Sequence, residues 1–374
     1  MIRIKKIKLY QLEYKIKNFI YTSFGIMRSR PALIIELIDN NNNIGLGEIW
    51  CNFPNDAPLY KFKLFKNIFA KILINKNINK PSDILTIYED IKKIFIQSDD
   101  LGSYNSILSG LDCALWELFS KKKKKPLNKF INNNSLSNIG VYASGINPND
   151  ATKYINLARK SGIKAFKVKI GFDNNLDLSL IKKIIAYKNA NEKIMLDVNQ
   201  GWVLEKAVKY LNILKKYPIY WIEEPISAIS KETDYIKLIN FSKISIALGE
   251  NINCRNKFKR FLNNKELNFI QPDLTKFGGI SLIEECFKNK FKNKIFLHFL
   301  GSGVGLINSA HVMSAINKKG LLETDLNTNP LRDLLFKQPI KIFNGKLHLN
   351  DLPGIGFTLN KNIIKKYLIN SFSI

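Results

Sequence analysis

The sequence predicts an α/β protein: a modified (β/α)-barrel of the TIM type in the C-terminal part, capped by an α+β N-terminal domain. Two observations lead there. From about residue 140, short apolar strands alternate with amphipathic helices, and the starts of eight strands fall 24 to 28 residues apart. No GxGxxG follows the first of them, so a closed barrel is favoured over an open doubly wound sheet. Before about residue 135 the order is different: strands come first and helices follow, the segregation of an α+β domain.

The capping domain, 1–135, opens with IRIKKIKLYQLEYKI and ALIIELIDNNNNIGLGEIW. Both alternate apolar and polar residues, and the Asn-rich stretch 40–43 marks a hairpin. Helical periods follow in APLYKFKLFKNIFAKILI, PSDILTIYEDIKKIFI and SYNSILSGLDCALWELFSKKK. The barrel, 136–330, has strand candidates VYASGI (141–146), AFKVKI (165–170), KIMLDVN (193–199), YWIEEP (220–225), SIALGE (245–250), FIQPDL (269–274), KIFLHFL (294–300) and GLLETDL (320–326). The tail, 331–374, is expected to pack back on the capping domain.

Composition narrows the function. The 374 residues suffice for a sizeable core, and no run of about 18 uncharged apolar residues points to a membrane span. The N-terminus lacks the apolar stretch of a signal peptide, so a cytoplasmic location is expected. Four cysteines lie far apart with no CxxC, and reduced thiols are expected. The net charge of +27 is spread through helices, loops and tails together with Asn and Ile. KKKKK at 121–125 is its one block, so neither nucleic acid nor membrane is expected as a partner. The positive field suits a small-molecule carboxylate.

In a parallel barrel the chemistry sits at the C-terminal strand ends. Those ends carry Lys167 and Lys169, Asp197 and Asn199, Glu223 and Glu224, Glu250 and Asn251, Asp273, His298, and Glu323. Asp197, Glu223 and Glu250 come from three successive strands, and converging carboxylates repel one another. A hard divalent cation relieves that repulsion, and an all-oxygen set suits Mg²⁺. Asp273, one strand before His298, can hold its imidazole in one tautomer.

The motifs FKVKIG, LDVNQGW, WIEEP, ALGEN, QPDLTKFGG and LHFLGSG, with SGLDCALWEL at 109–118, resemble the enolase superfamily, specifically the mandelate racemase/muconate lactonizing enzyme family. The resemblance spans nearly the whole chain. It implies that Asp197, Glu223 and Glu250 ligate one Mg²⁺ and that Lys169 is a general base. Lys167 is implied beside the substrate carboxylate and metal, lowering the pKa of Lys169 from the usual value of about 10.4. Glu323 is implied to hydrogen-bond the substrate carboxylate. Asp273, where lactonizing relatives carry Lys, together with His298 resembles the mandelate racemase subgroup and its sugar-acid dehydratases. The expected activity is therefore a Mg²⁺-dependent lyase that dehydrates a sugar or hydroxy acid through an enediolate. A racemase or epimerase comes second and a cycloisomerase third. Two stretches, YTSFGIMRSR and GEIWCNFP, are the expected lid, with Thr22, Arg28, Trp50, Asn52 and Phe53 touching substrate, either Arg28 or Arg30 holding a distal carboxylate or hydroxyls, and Asn199 joining them from the barrel. A homo-oligomer is expected by analogy.

Overall fold

Alternating apolar residues make the N-terminus an antiparallel ribbon. In a computed structural model of the chain, Ile2–Thr22 pairs with Gly25–Asp39, which pairs with Ile44–Ile49. The structure describes all residues except 23–24, 172–173, 253, 288–294 and 318, and the backbone alone at 18, 21–22, 174–176 and 285–287. A register slip between Ile4 and Lys6 explains why the buried positions run 2, 4, then 7, 9. An extra residue in one strand moves every later side chain to the opposite face.

The ribbon's apolar face lies on the helix Leu101–Lys122. Asp100 starts that helix by accepting the Ser103 N–H at 3.2 Å, and the basic block ends it. Cations suit a helix C-terminus, and Lys121 also pairs with Glu117 one turn earlier at 2.7 Å. Strand and helix touch backbone to backbone: a Cβ on Gly47 would stand 1.8 Å from the Gly110 carbonyl oxygen.

The barrel strands are Asn138–Ile146, Ala165–Lys169, Lys193–Asp197, Ile219–Glu223, Ile246–Leu248, Phe269–Ile270 and Leu321–Asp325, paired in parallel. The seventh position is held by the isolated bridges Ile270 to Ile295 and Asp273 to His298. The Glu323 N–H donates to the Leu297 carbonyl at 3.4 Å and joins that segment to the eighth strand. Tyr142, Ala165, Met195, Trp221, Ala247 and Phe296 fill the interior. This aromatic plug, with Tyr142 and Trp221 edge to face at 5.4 Å, floors the barrel and leaves its C-terminal mouth for polar groups. Beyond the barrel, Lys346–His348 pairs with the first barrel strand, and Leu368–Ser373 pairs with Ile2–Thr22.

One buried polar group in this scaffold makes acid stability predictable. His311, fully buried, accepts the Asn128 N–H at Nδ1 (3.1 Å), and its Nε2 faces the Ile355 carbonyl oxygen at 3.1 Å. A proton on Nδ1 would meet another N–H, and burial already pushes the imidazole down to about 4. Below its ordinary value the unfolded chain binds a proton that the native state refuses. Stability is therefore lost as pH falls from about 6.5 toward 4, by roughly 3 kcal/mol in full. Urea midpoints of the protein and of His311→Gln, compared from pH 7.5 to 4.5, are expected to converge toward acid. A pH-independent difference would contradict this role.

Candidate active site

The second barrel strand resolves its own pattern. Phe166, Val168 and Ile170 join the core between barrel and helices, while Ala165 joins the interior plug. Lys167 and Lys169 share the face of Ala165, so both point up the barrel axis. Lys169, Asp197 and Glu223 are register partners on three neighbouring strands. Just beyond them the chain turns sharply: Asn199, Gln200 and Glu224 have φ of 47°, 66° and 38°. Such left-handed backbone is costly for residues other than glycine and clusters at functional sites. At the fifth strand end Gly249 (φ 146°) passes so close that a Cβ would lie 2.6 Å from the Gln271 nitrogen.

Charges here are tightly interlocked. The Lys167 ammonium contacts Glu223 Oε1 at 2.5 Å and Glu323 Oε1 at 2.9 Å. Burial opposes its charge, but these two carboxylates hold its pKa well above the usual lysine value. Lys169 donates to Asn199 Oδ1 and lies 3.5 Å from Asp197 Oδ2. His298 Nδ1 meets Asp273 Oδ2 at 2.7 Å, and its Nε2 meets Glu250 Oε2 at 2.7 Å. Asp273 is itself oriented by the Thr275 N–H and hydroxyl, at 2.7 and 2.6 Å. Burial disfavours an imidazolium, yet Glu250, Glu323 and Asp273 keep His298 well above its ordinary value. Glu323 also accepts the Tyr142 hydroxyl at 2.8 Å. Burial would raise Glu323, but Lys167 and His298 bring it below the usual carboxylate value, so it stands ionised rather than protonated.

Asp197, Glu223 and Glu250 form the candidate oxygen-donor set for a metal. Asp197 and Glu223 are buried and Glu250 is 11% exposed. Among the described residues no three His, Cys, Asp or Glu side chains form a ready-made cage. Each of these carboxylates instead faces Lys169, Lys167 or His298. Glu223 is nonetheless pushed up to about 7, by burial first and then, against Lys167, by Asp197, Glu323 and Glu250. Hard oxygen donors in surplus negative charge fit a divalent cation such as Mg²⁺.

The pocket above these groups is lined by Lys167, Lys169, Asp197, Asn199, Glu250, His298 and Glu323, all expected from the strand ends, together with Ile20, Met27, Arg30 and Phe53 of the capping domain. The expected lid residues divide. The Thr22 side chain lies outside the described residues. Arg28 does not reach the pocket: it is exposed and its guanidinium stacks on Phe19 at 4.9 Å. Arg28 and Arg30 stand two apart on the strand Gly25–Asp39, yet Arg28 is exposed and Arg30 is buried. Arg30 lines the pocket instead, buried and bonded to Asp325 Oδ2 at 2.6 Å. Asn52 donates to the Leu300 carbonyl at 2.7 Å and ties the lid to the barrel rim. Trp50 borders an adjoining cavity that reaches His298.

Three further participants were not foreseen. Tyr142 supports Glu323, and Gln271 donates to Glu223 Oε2 at 2.8 Å. Gln271 stands two residues before Asp273, and that period of two was its available signal. Glu48 accepts from Ser302 and Gly305, just after His298, across the domain seam.

Residues 151–363 match the family model described as enolase C-terminal domain-like. The chain is 27% identical to the arabinonate dehydratase of Saccharolobus solfataricus, over 98% of this chain and 100% of that protein. A mandelate racemase/muconate lactonizing enzyme structure from Bordetella bronchiseptica RB50 superposes with a TM-score of 0.87 at 29% identity, covering 97% of this chain and 99% of that one. A racemase from Streptomyces coelicolor A3(2), solved with bound magnesium, shares the fold at a TM-score of 0.85 and 18% identity, over 98% of this chain and 100% of that one.

Proposed function

The chain belongs to the enolase superfamily, and on that footing we propose that it removes the proton α to a carboxylate and dehydrates a hydroxy or sugar acid to a 2-keto acid. One observation supports this most: Lys169 and His298 line a single pocket from the second and seventh barrel positions, and Asp273 holds His298 from behind at 2.7 Å. Loss of a proton beside a carboxylate puts a second negative charge on that group, so the site must supply positive charge where it develops. Asp197, Glu223 and Glu250 are the residues that would hold Mg²⁺, which when bound supplies such charge. Lys167 is the donor of this chain at the same end.

Lys169 takes the α-proton, and the C–H electron pair passes into the carboxylate as an enediolate. His298, oriented by Asp273 at Nδ1, gives its Nε2 proton to the β-hydroxyl. The C–O bond breaks, water leaves, and the remaining enol tautomerises to the keto acid. Returning a proton to the α-carbon from the His298 side instead gives the racemase or epimerase reading. Asp273, standing where a lysine would serve cycloisomerisation, leaves that reading third.

The test is a sugar-acid panel, arabinonate included because of the similar dehydratase, incubated with Mg²⁺. Semicarbazide detection of 2-keto acid is the expected result. If no acid yields a keto product while ¹H NMR in D₂O shows α-proton exchange, dehydration is wrong and racemisation takes its place.

A further inference from the structure

The catalytic pocket opens toward larger space. It measures about 70 Å³, and it shares Phe53, Glu250, His298 and Leu300 with an adjoining cavity of about 270 Å³. That cavity shares Trp50, Phe53, Glu250, Asn251 and Lys276 with an outer chamber of about 740 Å³, between the barrel rim and the helices Ala57–Leu64 and Leu101–Lys122. The three spaces follow one another from His298 past Trp50 into the capping domain.

The wall at Trp50 holds two ammonium groups and an indole N–H, and one of the ammonium groups, that of Lys61, lacks a matching charge. Lys61 is 5% exposed, and its ammonium donates to the Trp50 carbonyl at 2.7 Å and to Ser106 Oγ at 3.1 Å. Both acceptors are neutral, and no carboxylate among the described residues pairs with it. Burial pulls Lys61 down to about 8. A buried ammonium ordinarily has a counter-charge, because desolvating it alone is expensive. The indole N–H of Trp50 is buried and has no acceptor among the described residues. Lys61 and Lys276 place their ammonium groups 5.0 and 4.6 Å from the centroid of that same ring. Lys276 also donates to Asn251 Oδ1 at 3.0 Å and lies 3.8 Å from Glu250.

The chamber's other acids are Asp56, Asp99 and Asp100, and the charge of Asp100 is felt at Lys61 without a direct ion pair. Asp56 and Asp99 are exposed, and Asp100 accepts from the Tyr60 hydroxyl at 2.7 Å and from the Ser103 N–H at 3.2 Å. Phe53, Pro54, Ala57 and Ile252 supply apolar lining for a carbon chain.

We propose that Lys61, the Trp50 indole N–H and Lys276 form a subsite for a second oxyanion, a carboxylate or a phosphate, at the end of the substrate remote from the reacting carbon. Two cationic donors and one neutral donor, next to the apolar lining of Phe53, Pro54, Ala57 and Ile252, suit an oxyanion through charge-assisted hydrogen bonds. The inference rests on the reading that the reacting end is an α-proton-bearing carboxylate, and it adds that the substrate is doubly anionic.

The experiment compares matched 2,3-dihydroxy acids ending in CH₂OH, carboxylate or phosphate ester, each with Mg²⁺, following keto-acid formation and α-proton exchange. One oxyanion-ended set is expected to exceed the neutral-ended set in kcat/KM by about 10- to 100-fold, and the better set names the source. Lys61→Met and Lys276→Met are expected to collapse that ratio through KM, with kcat on the oxyanion-ended acid little changed. Should Lys61→Met fail to fold, Trp50→Phe removes the N–H and keeps the ring, and a several-fold fall in the ratio is expected there. Equal or better turnover of the neutral-ended set overturns the inference. So does a loss in Lys61→Met that falls alike on all three sets, which would mark Lys61 as a brace for the lid. If the wild-type protein exchanges no α-proton from any acid, the catalytic reading fails instead. Calorimetry with glutarate against butyrate then still reads the subsite: tighter glutarate binding, lost in Trp50→Phe, supports it, and equal binding overturns it.

Discussion

Lys169→Met is expected to lower α-proton removal from the face that Lys169 serves by about 10²- to 10⁴-fold, the usual contribution of a positioned base. The fold should tolerate the change. Lys169 sits at a strand end, 13% exposed, and its ammonium is engaged by Asn199 and Asp197 at the pocket surface rather than within the plug. Methionine retains most of the unbranched stem. The urea midpoint is therefore expected to move little while the rate collapses. His298→Asn gives the complementary result. Exchange of the α-proton with D₂O at the Lys169 face should persist, while keto-acid formation falls, because the group that protonates the departing hydroxyl is gone. Measured together by NMR and by keto-acid assay, the two variants separate the first half of the reaction from the second. Near-normal turnover in Lys169→Met would remove that residue from the mechanism. Loss of exchange in His298→Asn equal to that in Lys169→Met would mean that one residue serves both halves.

Periodicity made much of this site legible. The 24- to 28-residue pitch located the strands, and period two within each strand put Lys167 with Lys169 and Asp273 on the barrel mouth. The His298–Asp273 contact could be expected because neighbouring parallel strands bring their ends together, and the two residues bridge directly. What escaped is of another kind. Arg28 and Arg30 are two apart on one strand, yet only Arg30 lines the pocket, a difference that an alternating pattern does not carry. Lys167 was expected beside the metal and the substrate carboxylate as well as acting on Lys169, and its ammonium lies between Glu223 and Glu323. The Glu323 partner is 156 residues away in sequence, so that contact exists only once the barrel closes. Tyr142 looked like an ordinary strand aromatic, yet its hydroxyl supports Glu323 from 181 residues away.

The seam between domains is built from the same logic of helix ends. Asp112, on the capping-domain helix, accepts the Ser281 N–H at 2.9 Å, two residues into the helix Gly279–Phe287 that follows Asp273. Glu48 does the equivalent for the helix Gly303–Ile316 that follows His298. Both dyad residues thus lead into barrel helices whose first N–H groups, which have no partner within the helix, are met by carboxyl oxygens of the other domain. The lid and the acid–base pair are therefore tied through short backbone segments.

Glu48→Ala is accordingly expected to be among the most damaging changes outside the pocket. The carboxylate, 4% exposed, accepts the Ser302 N–H at 2.8 Å, the Ser302 hydroxyl at 2.5 Å and the Gly305 N–H at 2.7 Å. Alanine would leave three donors in a closed seam, and each unsatisfied buried donor costs about 1–3 kcal/mol, less where it finds a new partner. The Ser302 hydroxyl can turn elsewhere, so the expected loss at pH 5 is about 2–4 kcal/mol in urea unfolding. The loss should depend on pH with a definite sign. Burial raises Glu48 to about 7, against the opposing hydrogen bonds from Ser302 and Gly305. The native state therefore keeps a proton that the unfolded chain releases near 4.5, and the stability Glu48 contributes declines as pH rises through 7. The gap between wild type and variant should shrink from pH 5 to pH 8. His298 begins only four residues before Ser302, so keto-acid formation should fall more than exchange at the Lys169 face. Glu48→Gln, which keeps one acceptor oxygen, should recover part of both losses. An unchanged urea midpoint in Glu48→Ala would show that the seam holds without this carboxylate. A gap that widens toward pH 8 would show that Glu48 works as a buried anion rather than as a protonated acid.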